Sequence, residues 1–162
     1  MNNISRLFLT LSVAGLIGVL RTPTAQADDK VYPGTMCVRL QGGILSSNDN
    51  GLFNIGNTAM LVRCPIVRDN TTLPWNTLQV VVFDRDPSVP SNVVCTAFSH
   101  RRDGLSFFAA NRQTAGSSAN AQFLNFTPLT EFDNGYFHFR CSIPPIVNGN
   151  PSGIASYFIR EP

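Results

Sequence analysis

The chain has little charge, one tryptophan, two histidines and a single lysine, Lys30. Only 14% of its 162 residues are charged and its prolines are scattered, which excludes a coiled coil. Its basic residues form no cluster, so we expect no nucleic-acid partner, because such proteins carry a basic face. No stretch after residue 27 is apolar enough for a transmembrane helix, so no membrane span is predicted after the leader.

Residues 1–27 have the three parts of a secretory signal peptide. Arg6 supplies the positive charge, residues 7–20 form an uncharged apolar run, and Ala25 and Ala27 lie where a signal peptidase requires small side chains. The apolar run is too short to cross a bilayer comfortably as a helix, although an N-terminal anchor is the alternative. We predict a cleaved leader over residues 1–27, a single domain over residues 28–162, and a secreted or periplasmic location.

The four cysteines all follow this leader: Cys37, Cys64, Cys95 and Cys141. An even number of cysteines in an exported chain predicts two disulfides, with three possible pairings. We prefer Cys37–Cys64 and Cys95–Cys141, because sequential pairing links the first two strands and then two strands of the second half. Bridges closing loops of these lengths would stabilise the fold by about 3–4 kcal/mol each. A zinc site is disfavoured, because the chain has no C-x-x-C pair.

Turn residues recur along the chain, with β-branched and aromatic runs between them. The runs predict strands at residues 36–40, 58–64, 78–84, 92–100, 105–110, 121–127, 136–143 and 154–160. Pro65 is expected to end the second of these, residues 46–51 are expected to form a polar loop, and residues 101–104 and 133–135 are expected to form hairpin turns. We therefore predict an all-β antiparallel β-sandwich of about seven to eight short strands, with a small β-barrel as the alternative.

Two short motifs, YPGTMC at residues 32–37 and the Cys64-Pro65 pair, lie near the predicted first two strands. With the strands around Cys95 and Cys141, they resemble small exported bacterial proteins that have four cysteines and no assigned function. The resemblance covers most of residues 28–162. It implies a disulfide-bonded exported domain and no particular activity.

One strand face carries side chains suited to a ligand. Alternation along residues 136–143 places Tyr136, His138 and Arg140 on one side of the strand. A phenol, an imidazole and a guanidinium together can stack on a sugar or peptide and form hydrogen bonds with it. Trp75 could add a further ring, although covering an edge of the core is its favoured role. These four residues are the candidate ligand face.

Catalytic and metal sites have weaker support. His100 or His138 could form a hydrolytic triad with a serine and an aspartate such as Asp84, Asp86 or Asp103, but the chain has no G-x-S-x-G motif. The aspartates at 84 and 86 could also bind Ca²⁺, or cap backbone groups where a strand ends. Residues 48–51 resemble part of a calcium loop but lack its further acids. We predict no catalytic residue, metal or cofactor.

Two other features have structural interpretations. Phe107 and Phe108 point to opposite faces of one strand, which favours burial on both sides over a subunit contact. The Arg-Asp pairs at residues 68–69 and 102–103 are interpreted as solvated turn charges. We therefore expect a non-enzymatic secreted or periplasmic binding module for a glycan or a protein partner. A self-assembling envelope or interaction subunit is the alternative, and a small hydrolase is less favoured.

Overall fold

The computed structural model describes residues 29–69, 75, 77–87, 91–127 and 129–161. The predicted leader lies outside these residues. Within them the chain forms one short 3₁₀ helix, Gly34–Met36, and eleven strands. The strands are β1 Lys30–Pro33, β2 Val38–Gly42, β3 Leu45–Asn48, β4 Gly51–Asn54, β5 Met60–Ile66, β6 Thr77–Phe83, β7 Val94–His100, β8 Phe107–Gln113, β9 Gln122–Phe126, β10 Tyr136–Ile143 and β11 Gly153–Arg160. No helix among the described residues is long and apolar enough to cross a membrane.

The strands form two antiparallel sheets that enclose one hydrophobic core. The six-stranded sheet has the order β3-β4-β11-β6-β9, with β1 also paired to β11, and the five-stranded sheet has the order β2-β5-β10-β7-β8. Alternate side chains of each sheet enter the core, such as Leu78, Val80 and Val82 from β6 and Phe139 and Ile143 from β10. The predicted all-β sandwich is confirmed, and the barrel alternative is not adopted.

The strand count exceeds the seven to eight predicted because three short strands have little sequence signal. All eight predicted strands are present, and β1, β3 and β4 are additional. The expected polar loop at residues 46–51 is instead a hairpin, in which the Asn50 backbone N–H donates to Asn48 Oδ1 at 2.9 Å. Exposed β3 depends for its structure on β4, which in turn pairs with β11.

Pro65 does not end its strand, as the sequence had suggested. β5 continues to Ile66, and Pro65 pairs with His138 of β10. On the other side of β5, pairing with β2 ends at Val38 opposite Arg63. Pro65 therefore lies beyond the last residue pair between β5 and β2. Because it has no β2 partner, its missing backbone N–H removes no hydrogen bond between these two strands.

One of the two predicted hairpin turns is present. Residues 101–104 turn within the segment that joins β7 to β8, and Gly104 has a φ of 73°, which disfavours any residue with a side chain. Residues 133–135 also turn, with Asn134 at a φ of 56°. However, the preceding strand β9 belongs to the six-stranded sheet and the following strand β10 to the other, so this turn crosses between sheets. The hairpin expected at residues 133–135 is therefore wrong.

Both predicted disulfides are confirmed. Cys37 bonds to Cys64 and Cys95 bonds to Cys141, with a Cα–Cα distance of 4.1 Å in each pair. All four cysteines are buried in the core. The first bridge ties the residue before β2 to β5, and the second joins residues directly opposite each other on β7 and β10. Both bridges therefore stabilise the five-stranded sheet.

A buried asparagine connects the two sheets at one end of the sandwich. Asn54, at the end of β4, is fully buried. Its side-chain oxygen accepts the backbone N–H groups of Ile44 at 3.2 Å and Gly56 at 3.0 Å. Its amide nitrogen donates to the carbonyls of Thr58 at 2.8 Å and Pro144 at 2.9 Å. The Asn54 side chain thus forms hydrogen bonds with backbone groups of three loop segments. These groups have no hydrogen-bond partner on a neighbouring strand.

Arg68 is buried, in contrast to the solvated turn charge expected at residues 68–69. Its guanidinium contacts Glu131 at 2.5 Å and Glu161 at 3.0 Å, and its side chain is 2% exposed. Asp69 does face solvent, where it pairs with Lys30 at 2.5 Å. The expectation failed for Arg68 because its carboxylate partners are distant in sequence and meet it only in the folded chain.

Candidate functional site

The solvent side of the five-stranded sheet carries a group of rings, here named the ring cluster. It consists of Tyr136 and His138 from β10, Phe98 and His100 from β7, and Phe107 from β8. Tyr136 lies directly opposite His100, and His138 lies opposite Phe98. Phe107 lies opposite His100 on its other side. The register of three strands therefore assembles the cluster on the face that points away from the core.

Four of these rings form a continuous stack that alternates between β10 and β7. Ring centroids are 4.8 Å apart for Tyr136 and His100, 5.0 Å for His100 and His138, and 5.0 Å for His138 and Phe98. The corresponding planes differ by 7°, 11° and 17°. The Arg140 guanidinium then lies 4.8 Å from the Phe98 centroid. These distances are those of favourable aromatic and cation–π contacts.

The stack is open to solvent at its Tyr136 end and buried at its Phe98 end. His138 and Phe98 are each only 8% exposed, although they lie on the outer side of the sheet. Tyr136 is 48% exposed and Phe107 is 56% exposed. A ligand can therefore contact Tyr136 and Phe107, while the buried rings of His138 and Phe98 support them from within the cluster.

Both histidines are neutral at pH 7. Burial lowers the pKa of His138 to about 4, and the positive charges of Arg63 and Arg140 and the neighbouring His100 act in the same direction. Burial and Arg63 also lower the pKa of His100. His100 Nδ1 is buried, and no described residue forms a hydrogen bond with it. The imidazoles therefore serve the cluster as uncharged rings.

A basic pair lies beside the ring cluster on the same face. Arg63 of β5 is directly opposite Arg140 of β10, and both side chains are exposed. Among the described residues, no carboxylate lies within ion-pair distance of either guanidinium. The face thus combines exposed rings with an excess of positive charge.

Three of the four residues of the candidate ligand face are brought together, and Trp75 is not. Tyr136, His138 and Arg140 lie along β10 as predicted, with His138 buried between other rings. Trp75 is 1% exposed in the core, and its backbone N–H donates to Glu131 Oε1 at 2.8 Å. The favoured role of Trp75, packing at the core, is therefore confirmed, and its assignment to the ligand face is wrong.

The sequence analysis did not place Phe98, His100, Phe107 and Arg63 at this site. Alternation along residues 94–100 could have put Phe98 and His100 on one face, but no local pattern sets the register of β7 against β10. Burial of Phe107 and Phe108 on two sides is wrong, since both are exposed at 56% and 41%. They lie on the edge strand β8, where the sandwich does not cover them.

The residues of the suggested triad are not assembled. Among the described residues, neither His100 nor His138 forms a hydrogen bond or ion pair with a carboxylate. Asp103 is a turn charge, as expected, since it pairs with Arg101 at 3.1 Å and accepts the Leu105 N–H at 3.0 Å. The two imidazole rings stack on each other and are not paired with a catalytic acid.

The aspartates at the end of β6 organise a loop. Asp84 is fully buried, and Asp86 is 2% exposed. Asp84 Oδ1 accepts the Asp86 N–H at 3.2 Å, and its Oδ2 accepts the Val93 N–H at 3.2 Å and the hydroxyl of Thr114. Asp84 therefore caps backbone groups where β6 ends, which is the alternative to Ca²⁺ binding considered from the sequence. No group of three or more histidine, cysteine or acidic residues suited to a metal ion occurs in the described ranges.

Comparisons with known proteins gave only distant structural likenesses. No family model matches the chain, and no curated protein matches it. A solved xylan-binding module, CBM15, is similar with a TM-score of 0.47 and 10% identity, covering 79% of this chain and 97% of that one. The CBM36-1 domain of a multidomain xylanase from the hindgut metagenome of Trinervitermes trinervoides is similar with a TM-score of 0.44 and 10% identity, covering 82% and 95%. Likenesses at this level carry no conclusion about function.

Proposed function

We propose that the protein is a non-enzymatic binding module that holds a glycan on the outer face of its five-stranded sheet. The ring cluster is the observation that supports this proposal. An outward sheet face is ordinarily polar, yet here five rings gather on it, with Tyr136 and Phe107 open to solvent. Exposed apolar surface of this kind marks binding sites. The C–H faces of sugars pack on such rings, and the Tyr136 hydroxyl and Arg140 can bond sugar oxygens.

The geometry supports binding over catalysis. A hydrolase would require an activated nucleophile or a pair of acids near the bound sugar. At the ring cluster neither imidazole is paired with a described carboxylate, and the buried Asp84 and Asp86 are engaged in a loop of the other sheet. The two disulfides are typical of oxidising compartments and support a secreted or periplasmic location.

A binding screen with a matched pair of variants tests this proposal. Calorimetric titration of the purified, disulfide-bonded protein would use xylo-, cello-, manno-, chito- and galacturono-oligosaccharides. We expect at least one of these to bind, and Tyr136→Ala to weaken binding at least about tenfold through loss of its ring contact. Phe123→Ala is the control, since Phe123 is 60% exposed on β9 of the other sheet.

Three results would contradict the proposal. One is the absence of binding to every member of the panel. Another is an equal loss of affinity in Tyr136→Ala and Phe123→Ala, which would place the ligand elsewhere. The third is release of new reducing ends during incubation, which would show hydrolysis. Light scattering at high protein concentration would measure the molar mass and so distinguish a binding module from the self-assembly alternative. Self-assembly predicts oligomers even when no glycan is present.

A further inference from the structure

We propose that the glycan bound at this face is anionic, and that Arg63 and Arg140 together bind its carboxylate or sulfate group. This inference rests on the proposed function, because it names the ligand class of the same site. It explains why two arginines occupy directly opposite positions on neighbouring strands. Like charges at such positions destabilise a sheet, so the pair requires another reason to be there.

The surroundings of the pair do not supply its counter-charge. Residues directly opposite each other have Cβ atoms about 5 Å apart, so the two guanidinium groups share one region of solvent. The next residue across the sheet from Arg140 is Thr96, and Asn111 follows it on β8. The Thr96 hydroxyl donates to Asn111 Oδ1 at 2.5 Å, which leaves the amide nitrogen of Asn111 as a donor.

Arg63 on β5, Arg140 on β10 and Asn111 on β8 thus supply hydrogen-bond donors along one row of the sheet next to the ring cluster, with Thr96 of β7 between Arg140 and Asn111. An arginine can form two parallel hydrogen bonds with one carboxylate or sulfate, which makes arginine suited to oxyanions. The neutral histidines between the exposed rings and the pair add no charge of their own at pH 7. On this face of β5 and β10, the positive charge is therefore carried by the two arginines.

The dimensions of the face fit a short oligosaccharide. Tyr136 and Arg140 are four residues apart on β10, a separation of roughly 13 Å along an extended strand. A neutral sugar ring on Tyr136 and Phe107 would then place a sugar further along the chain above the arginine pair. The ligand is accordingly an oligosaccharide in which one unit carries the acid.

The test compares charged and neutralised forms of the same glycan. Oligogalacturonate is titrated beside its methyl ester, and a sulfated galactan beside its desulfated form. We expect the charged member of at least one pair to bind at least about tenfold more tightly, and salt to reduce this preference. The double variant Arg63→Gln and Arg140→Gln should lose the preference, so that its affinities for the charged and the neutral form become equal. Arg160→Gln, which changes an exposed arginine on β11 of the other sheet, is the matched control and should retain the preference.

The outcomes separate the two proposals. Preference for the carboxylated or for the sulfated member supports an anionic ligand and identifies its acid group. Equal binding of charged and neutral forms overturns the anionic ligand and leaves glycan binding standing, whereas no binding of any glycan overturns both. The melting temperature of the double variant should change little, because the removed repulsion between the guanidinium groups offsets the lost cation–π contact of Arg140 with Phe98. A clear fall would show that the pair is structural and would also overturn this inference.

Discussion

Acidification from pH 7.5 to pH 5 should destabilise the protein through His138. Burial in the ring cluster lowers the pKa of His138 from 6.5 to about 4. Between these values the unfolded chain binds a proton that the folded chain excludes, so stability falls as pH falls. The contribution is intact above pH 6.5, is lost progressively towards pH 4, and changes little below that.

The expected size follows from the same two pKa values. At pH 5 the difference in proton binding corresponds to about 2 kcal/mol of unfolding free energy. Solvent screening at the open end of the ring cluster reduces this to about 1 kcal/mol. For a domain of this size the melting temperature should then fall by about 3 °C between pH 7.5 and pH 5. His100, whose pKa is also lowered, acts in the same direction.

Scanning calorimetry at the two pH values would measure this change, and NMR titration of the imidazole protons would give the pKa of His138 directly. The control is His138→Phe, which retains a ring between His100 and Phe98 and removes the proton. Its melting temperature should depend less on pH than that of the original protein. An identical loss of stability in both proteins, or a His138 pKa at or above 6.5, would refute the reasoning.

Three variants test buried groups that stabilise the fold, each measured by urea unfolding. Asn54→Ala should lower stability by about 3 kcal/mol or more, because several buried backbone groups lose their partner. Arg68→Met should lower it by about 3–5 kcal/mol, because two buried carboxylates lose their cation. Replacing both Cys95 and Cys141 by alanine should lower it by about 4 kcal/mol, since their bridge closes a loop with a sequence separation of 46.

Controls for the first two substitutions exist at exposed positions. Asn50→Ala removes a turn asparagine at the β3–β4 hairpin, and Arg101→Met removes an arginine whose ion pair with Asp103 is largely open to solvent. Both should change stability far less than their buried counterparts. Equal losses at the buried and exposed positions would show that burial does not set the contribution of these side chains.

The amino-acid sequence by itself determined the fold class, eight of the strands and the outward direction of Tyr136 and Arg140. These features depend on local information. Alternation of apolar and polar residues selects the face of a strand, as along β10, and Gly104 with its neighbours marks a turn. The spacing of the cysteines along the strands was enough to favour the observed pairing. Short strands such as β3 were not predicted, because their structure depends on pairing with a neighbouring strand and not on their own composition.

Only the tertiary structure decided which side chains share the site. The register of β7 against β10 places His100 beside Tyr136, and the register of β5 against β10 places Arg63 opposite Arg140. A shift of one residue in either pairing would send a whole set of side chains to the other face. Such registers depend on contacts between residues that are distant in sequence. A local sequence pattern carries no information about those contacts. The same reason explains why the ring cluster assembles without any recognisable motif.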